Sequence, residues 1–343
     1  MGFDIQSNFG REYAMHSNGM EMRVNRITPS KTNKVLLESA PVALFLYNRP
    51  KHTLRTLEAL EMNKIADQTH LYIFCDGPRA EGDNYRHIEE VREIAASKKW
   101  CRKVSTVYHE RNLGLADSIR GGIDHVLAEH DKIIVLEDDI VTSPGFLTYM
   151  NDALSIYANE SQVMNISGYL PETNFRWMLP STFFHPMMSC WGWGTWRRAW
   201  KDGEWEASSL LKQVEYYPGG LNAFDMDGTY PYSDHLRKNL EGALKTWAIF
   251  WAASCYVLGG LCLYPRRSLV ENIGFDGSGT NCDSVEPALQ SMLAKEIKVR
   301  KIKIKPSSLG KQYLQWANKF GSNAPIVKRA LSISFWLKAS ING

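Results

Sequence analysis

The sequence lacks the cysteine patterns that mark disulfide-rich and zinc-binding proteins. Its six cysteines among 343 residues include no CxxC pair and follow no regular spacing, which fits reduced thiols in a cytosol. The N-terminus shows no basic region followed by an apolar run, so we expect no secretory signal peptide. These absences favour a cytoplasmic protein without a disulfide framework or a structural zinc ion.

Two common nucleotide-binding motifs are also missing. No GxGxxG follows the first predicted strand, and no GxxxxGK[ST] occurs anywhere in the chain. A nicotinamide-binding Rossmann site and a P-loop are therefore both disfavoured.

One long uncharged run, residues 247–264, approaches the length of a membrane span. Two glycines, at 259 and 260, interrupt the run, and a proline follows it at 265. We therefore expect a buried helix over 247–258 and a core strand over 261–264, with a transmembrane helix as the less favoured alternative.

The chain has enough apolar material, 44% of its residues, for a large core. Residues 1–36 are polar and patternless, so we expect them to be loosely ordered. We divide the rest into a first half, 37–150, a second half, 151–296, and a C-terminal arm, 297–343.

Apolar strands alternate with helical patterns through the first half. Predicted strands cover residues 41–47, 71–75, 104–108 and 132–137. The helical patterns between them place Leu54, Leu57 and Leu60, then Ile88, Val91 and Ile94, then Leu115, Ile119, Ile123 and Val126 on one face each. This alternation predicts an α/β fold with a doubly wound, mostly parallel sheet and helices on both faces.

Polar residues follow each of the first three predicted strands. They are Asn48 and Arg49 after the first, Asp76 after the second, and residues 110–114 (ERNLG) after the third. Asp76 suits hydrogen bonds to a pyrimidine ring or a ribose, and Arg111 and Arg120 suit phosphate. Each alone could instead be a helix cap or a turn former.

The fourth predicted strand runs into three carboxylates, Glu137, Asp138 and Asp139. Three adjacent acids repel one another unless a cation neutralises them, so the pattern indicates a divalent metal that bridges to a nucleotide's phosphates. Ligands in open α/β sheets gather at this edge. A solvated acidic turn that caps the next helix is the alternative.

The C-terminal arm is basic, with ten Lys or Arg and no acid, so a chain of net charge +3 has −7 on the remainder. Residues 298–305 alternate apolar residues with lysines, which predicts an edge strand. Aromatic residues mixed with Lys and Arg farther on suit an anionic membrane surface. A helix packed back on the domain is the alternative, and nucleic acid is not an expected partner.

Several motifs carry a resemblance to a known class. They are residues 110–116 (ERNLGLA), 137–139 (EDD) with 143–146 (SPGF), 189–196 (SCWGWGTW), 247–251 (WAIFW) and 272–279 (NIGFDGSG). Over roughly residues 41–282 the chain resembles the GT-A class of nucleotide-sugar glycosyltransferases. The acidic motif is similar to the inverting N-acetylglucosaminyltransferase I type, and the whole pattern resembles bacterial family-2-like transferases of surface polysaccharides, such as those of lipopolysaccharide O-antigen.

This resemblance implies a GT-A-like fold in which the first half binds a nucleotide sugar and the second half forms an acceptor-side subdomain. Mn²⁺ or Mg²⁺ would bind Asp139, with Asn281 as a further ligand. The donor, a UDP-sugar by analogy, would contact the residues that follow the strands: Tyr47, Asn48, Arg49, Asp76, Arg111, Asn112, Gly114, Arg120, Glu137 and Asp138.

The implied activity is a metal-dependent, inverting transfer of a sugar to a saccharide or lipid-linked saccharide at the inner face of a bacterial membrane. The chain departs from the class at Asn281, where a His is usual, and at Lys245, where Asn or Asp is usual. These departures leave open a non-catalytic saccharide-binding protein that retains the fold. A metal-dependent nucleotidyltransferase is a second alternative, because that class also uses acids at strand ends.

Tryptophans crowd the second half beside glycines, which suits stacking on a sugar face. We expect Trp191, Trp193 and Trp247 to contact the acceptor. Inverting transfer needs a carboxylate base, for which the candidates are Asp276, Asp234 and Glu271, with Asp276 preferred.

Overall fold

Residues 39–79, 84–173, 175–276 and 293–320 are the part of the chain that the computed structural model describes. Within them the strands are β1 Val42–Leu46, β2 His70–Cys75, β3 Lys103–Tyr108, β4 Lys132–Glu137, β5 Ile140–Thr142, β6 Val163–Ser167, β7 Thr182–His185, β8 Trp193–Trp196, β9 Leu261–Pro265 and β10 Val270–Asn272. The helices are α1 Pro50–Glu61, α2 Tyr85–Ala96, α3 Leu115–Glu129, α4 Phe146–Ile156, α5 Arg197–Trp200, α6 Ala207–Tyr216, α7 Gly220–Phe224, α8 Tyr232–Leu240, α9 Ala248–Val257 and α10 Ser308–Phe320.

Eight of these strands form one sheet in the order β3-β2-β1-β4-β8-β6-β9-β7. The first four are parallel, β8 and β7 run antiparallel to their neighbours, and β6 pairs in parallel with β9. The predicted α/β class with a mostly parallel sheet is confirmed. The strands β5 and β10 form a separate antiparallel pair.

Successive strand residues point to opposite sides of the sheet, so apolar strands have two apolar faces. Helices pack on both of these faces. In β1, Val42 and Leu44 join a core with Leu57 of α1, whereas Phe45 joins a second core with Ile119 of α3. β8, from the second half of the chain, pairs with β4 from the first. The two halves therefore share one sheet, and the described residues from Ser39 onward belong to one compact unit.

The uncharged run folds as its glycines indicated. The run forms the helix α9, which ends just before Gly259, whose φ is 68°. It then continues as β9, which is buried in the sheet. No helix among the described residues has both the length and the apolar character needed to cross a membrane.

The predicted edge strand over residues 298–305 is wrong. This segment has no regular secondary structure and joins no sheet, and one isolated bridge links the following residue, Pro306, to Phe184. Its alternation instead reflects packing, because Val299, Ile302 and Ile304 lie against the core while the lysines face outward. The Ile302 amide donates to the hydroxyl of Tyr157 at 3.1 Å rather than to a neighbouring strand.

The first part of the basic arm folds back on the protein. In α10, Tyr313, Leu314 and Ala317 are buried, and Trp316 meets Phe175 edge-on at 5.6 Å. This matches the alternative of a packed helix for residues up to 320. The rest of the arm, 321–343, lies outside the described residues, as does the N-terminal segment 1–36.

Candidate functional site

Strand register brings the predicted polar residues to one edge of the sheet. Leu46 of β1 pairs with Cys75 of β2, and Phe45 pairs with Glu137 of β4. The residues that follow, 47–49, 76–78 and 138–139, therefore leave the sheet side by side. They lie beyond the carboxyl ends of parallel strands, where ligands bind in open α/β sheets.

The acidic turn, defined here as residues 137–139, is neutralised in part by Arg49. The Nε of Arg49 donates to Oδ2 of Asp138 at 3.1 Å, and its Nη2 contacts Oδ1 of Asp138. The same Nη2 donates to Oδ2 of Asp139 at 2.9 Å. One guanidinium therefore bridges both aspartates, which are only 5% and 8% exposed.

Burial shapes the protonation of this turn. Burial raises the pKa of Glu137, and the charges of Asp139 and Asp138 raise it further, while Arg49 opposes the rise. Burial likewise raises the pKa of Asp138 against the opposing charge of Arg49. Burial lowers the pKa of Arg49, but the two aspartates outweigh it and keep the guanidinium charged. The turn therefore favours bound positive charge or bound protons.

The strand β10 and the residues after it cover the turn. The Ile273 amide donates to the Asp139 carbonyl at 2.9 Å, and Thr56 Oγ1 donates to the Asp138 carbonyl at 2.8 Å. Gly274 lies so close that a Cβ there would collide with Oδ2 of Asp139 and come within 3.0 Å of Arg49 Nη1. A side chain at this position would therefore have to displace the Asp139 carboxylate.

The donor set limits how a metal could bind. Among the described residues, no group of three or more His, Cys, Asp or Glu side chains is arranged to hold a metal ion. Mg²⁺ is usually held by one or two carboxylates plus substrate phosphates, and Asp138 and Asp139 supply buried oxygens of that kind. The turn therefore fits a divalent ion that is shared with a phosphate. The further candidate ligand Asn281 lies outside the described residues.

Asp76 organises the neighbouring loop. Its carboxylate accepts the backbone amides of Gly77 at 3.0 Å, Leu113 at 2.8 Å and Gly114 at 3.2 Å. Asn112 adds a side-chain bond to the Gly77 carbonyl at 3.1 Å. In this structure Asp76 and Asn112 act as turn formers, the alternative that the sequence left open.

The other residues predicted to bind the nucleotide-sugar donor differ in how their side chains are engaged within the protein. Arg111 is exposed, and no hydrogen bond or ion pair engages its side chain within the described part of the chain. The half-buried Asn48 has a similarly unengaged side chain there, beside Tyr47, whose ring lies 5.7 Å from the Arg79 guanidinium. Arg120 instead packs over Trp205 at 4.5 Å. Of the two arginines predicted to bind phosphate, Arg111 is therefore the more exposed and Arg120 the one that packs on a ring.

Asp276 follows the segment that covers the acidic turn, three residues after Ile273, whose amide donates to the Asp139 carbonyl. Its Oδ2 lies 3.2 Å from Nε2 of His52, which also lies 3.2 Å from the Ile273 carbonyl. The Asp276 side chain is 51% exposed.

The other two base candidates have different surroundings. Asp234 pairs with Lys238 at 2.9 Å on the surface of α8, and that hydrogen bond lowers the pKa of Asp234, which weakens it as a base. Glu271 lies on β10 opposite Val141.

The predicted acceptor tryptophans separate into core and surface. Trp193 is fully buried and stacks on Trp247 with centroids 5.3 Å apart, and Trp247 is itself 3% exposed. The expectation that these two rings contact a saccharide is corrected, because no ring face is open to solvent. Trp191 is only half-buried and contacts Tyr169 at 4.4 Å and Phe275 at 5.5 Å.

The sequence reasoning missed His52 and Thr56, which contact the acidic turn or its cover from α1. The spacing of Arg49, His52 and Thr56, three and then four residues apart, places them on one helical face. That spacing was the available signal. The spacing predicts that His52 and Thr56 lie near the acidic turn only when Arg49 is already known to contact that turn.

Comparisons with known proteins add little. No protein-family model matches the chain, and no curated protein matches it. Among solved structures, the crystal structure of S. aureus TarS is similar with a TM-score of 0.37 and 12% identity, over 69% of this chain. The chain spans only 37% of the TarS chain. A likeness at this level does not establish a function.

Proposed function

We propose that this protein is a metal-dependent, inverting glycosyltransferase that moves a sugar from a nucleoside diphosphate, expected to be UDP, to a saccharide or lipid-linked saccharide. The observation that carries the proposal is the convergence of Arg49, Asp138 and Asp139 beyond the carboxyl ends of β1 and β4. A buried acidic turn at that edge, with an exposed Arg111 on the neighbouring loop, suits a diphosphate and its counter-ion.

Each side chain has a role in this proposal. Asp139 would hold the divalent ion, which would neutralise charge on the departing diphosphate. Glu137 and Asp138 would contact the ribose and the donor sugar. Asn48 and Tyr47 lie where the nucleoside binds, and Arg111 binds phosphate. Trp191 offers its half-buried ring to the acceptor sugar.

Asp276 is the proposed base. Its carboxylate takes the proton of the acceptor hydroxyl as that oxygen bonds to the anomeric carbon. The bond from this carbon to the diphosphate oxygen breaks on the opposite side, its electron pair leaves with the nucleoside diphosphate, and the configuration inverts. His52 positions Asp276 through the 3.2 Å contact.

The proposed setting is surface-polysaccharide synthesis at the inner face of a bacterial membrane. The ten basic residues of the arm, with no acid among them, support attraction to an anionic lipid surface.

A thermal-shift panel of UDP-, GDP- and dTDP-sugars, with and without Mn²⁺, tests the activity class. A ligand that binds only the native state raises the melting temperature by mass action. We expect a UDP-sugar to raise it in the presence of Mn²⁺. If no nucleotide sugar shifts the melting temperature under either condition, the proposal fails.

A further inference from the structure

Arg49 serves as the counter-cation of the acidic turn in this structure. Its guanidinium donates to both carboxylate oxygens of Asp138 and to one of Asp139. Backbone closes over the pair, since a Cβ on Gly274 would collide with Asp139 and approach Arg49 Nη1. Arg49 is therefore held between α1, the turn and the cover from β10.

This pairing opposes a divalent ion at Asp139. The Oδ2 of Asp139 that accepts from Arg49 at 2.9 Å is one of the oxygens a metal would need. Arg49 and the ion are like charges, and two cations this close repel each other. An incoming ion must therefore compete with the guanidinium for the same carboxylate.

A diphosphate changes the balance of this competition. Planar guanidinium groups bind phosphate and carboxylate with the same fork of donors. The Arg49 side chain is 17% exposed, so it is partly open to the edge where the donor is proposed to bind. Phosphate therefore offers Arg49 replacement partners for the bonds that it gives up at Asp139.

Resting on the proposed function, we propose that Arg49 couples binding of the divalent ion to binding of the nucleoside diphosphate. In the free protein Arg49 pairs with the two aspartates and holds back the ion. When a diphosphate binds, Arg49 moves hydrogen bonds from Asp139 to phosphate and frees that carboxylate. Each ligand then raises the affinity for the other by the same factor, as linkage requires.

A purely structural ion pair would behave differently. If Arg49 only stabilised the turn, its removal would lower stability and leave Mn²⁺ affinity equal or weaker. The coupling role predicts the opposite sign, because a missing guanidinium no longer competes for Asp139.

The experiment is a Mn²⁺ titration of the full chain followed by electron paramagnetic resonance, with and without UDP. Arg49→Gln removes the charge, and Arg49→Lys keeps it but loses the fork. The matched control is Arg198→Gln, a half-buried arginine that donates to the carbonyls of Tyr157, Ala158 and Val163. Circular dichroism confirms that each variant is folded.

In wild type we expect UDP to tighten Mn²⁺ binding on the order of tenfold. Arg49→Gln should tighten Mn²⁺ binding in the absence of UDP and reduce the effect of UDP to less than about threefold, since the typical coupling range starts above that. Arg49→Lys should fall between the two, and Arg198→Gln should match wild type. If Arg49→Gln does not fold, the Arg49→Lys result decides.

Two outcomes overturn the inference in distinguishable ways. Mn²⁺ affinity that is unaltered or weakened in the Arg49 variants, with the UDP effect intact, removes the coupling role and leaves the proposed function standing. Absence of Mn²⁺ binding in wild type, even with UDP, contradicts both.

Discussion

Asp139 belongs to a turn whose charge balance depends on a side chain 90 positions away in the sequence, Arg49. Because the two aspartates are almost fully buried, the guanidinium that bonds to both is their main source of compensating positive charge among the described residues. Gly274 completes the arrangement by allowing the backbone to approach without a side chain. Changes at single positions here should therefore have effects larger than their exposure suggests.

Gly274→Ala should destabilise the protein by about 1–3 kcal/mol, the usual cost of overpacking. The new Cβ would collide with Asp139 while Arg49 holds that carboxylate in place. Urea unfolding measures the change. The control is Gly121→Ala on α3, where a Cβ meets nothing within 4 Å, so stability should rise by up to about 1 kcal/mol. Equal effects at both glycines would contradict the packing described.

The raised pKa of Glu137 predicts a pH dependence of stability. A carboxyl group that binds its proton more tightly when folded contributes stability below the unfolded pKa of about 4.3. That contribution is lost as the pH rises toward the raised folded pKa. Metal-free wild type should therefore lose stability over this window.

Glu137→Gln should lessen that loss, because the carboxamide does not titrate. Free energies of unfolding between pH 5 and pH 8 measure it, and Glu90→Gln, an exposed change on α2, should keep the wild-type slope. A slope that Glu137→Gln leaves unaltered would show that the turn does not bind the proton.

At the site, the sequence predicted which residues lie at the carboxyl-terminal edge of the sheet, but not which of them form hydrogen bonds with each other. The positions of Asn48, Arg49 and Asp76 followed from strand ends. Their partners did not, because hydrogen bonds between residues far apart in the chain depend on register and loop path. Asp76 therefore turned out to organise a loop, and His52 was missed entirely.

At the scale of elements, local patterns were sufficient wherever burial is continuous. The strands β1, β2 and β4 are buried on both faces and read as unbroken apolar runs, as parallel strands do. Residues 298–305 show the limit of such reasoning. Alternation indicates that one side of an extended segment is buried, but it does not reveal whether a strand lies alongside to pair with it.

The strand β8 gives a test that separates core tryptophans from surface ones. Trp193→Ala should lower the free energy of unfolding by about 3–5 kcal/mol, because the indole is fully buried. Trp191→Ala should cost less, about 0.5–1.5 kcal/mol for each of its two aromatic contacts.

Transfer to an acceptor should respond differently to these changes. Trp191→Ala should raise KM for the saccharide, whereas the exposed control Trp177→Ala should change neither stability nor KM. Urea unfolding first measures the stability of each variant, and steady-state kinetics then measure KM for the saccharide. An unaltered KM in Trp191→Ala would remove this ring from the acceptor site.

At the scale of the whole molecule, one sheet edge gathers the proposed chemistry while the net positive charge is concentrated near the C-terminus. The arm begins as a segment packed on the core and continues through α10. Its sequence remains basic through residue 338. The charge distribution therefore predicts that an anionic surface attracts this end of the chain.

Replacing Lys328, Arg329 and Lys338 by Gln should weaken binding to vesicles containing phosphatidylserine. At about 1 kcal/mol per basic residue, the loss is roughly a hundredfold, and added salt should reduce wild-type binding. Vesicle co-sedimentation measures both. The matched control changes Lys99, Arg102 and Lys103 near β3 to Gln. Equal losses in the two triple variants would contradict a specific role for the arm.

The central claim is that the acidic turn binds a divalent ion, which in turn binds the diphosphate of the nucleotide. Calorimetric binding of UDP with and without Mn²⁺, in wild type, Asp139→Asn and the surface control Asp234→Asn, tests it most directly. We expect Mn²⁺-dependent binding in wild type and in Asp234→Asn, and a loss of at least about tenfold in Asp139→Asn, as for an ion-binding carboxylate worth more than 1.4 kcal/mol. The claim is contradicted if UDP binds wild type equally well with and without Mn²⁺, or if Asp139→Asn binds UDP as tightly as wild type does.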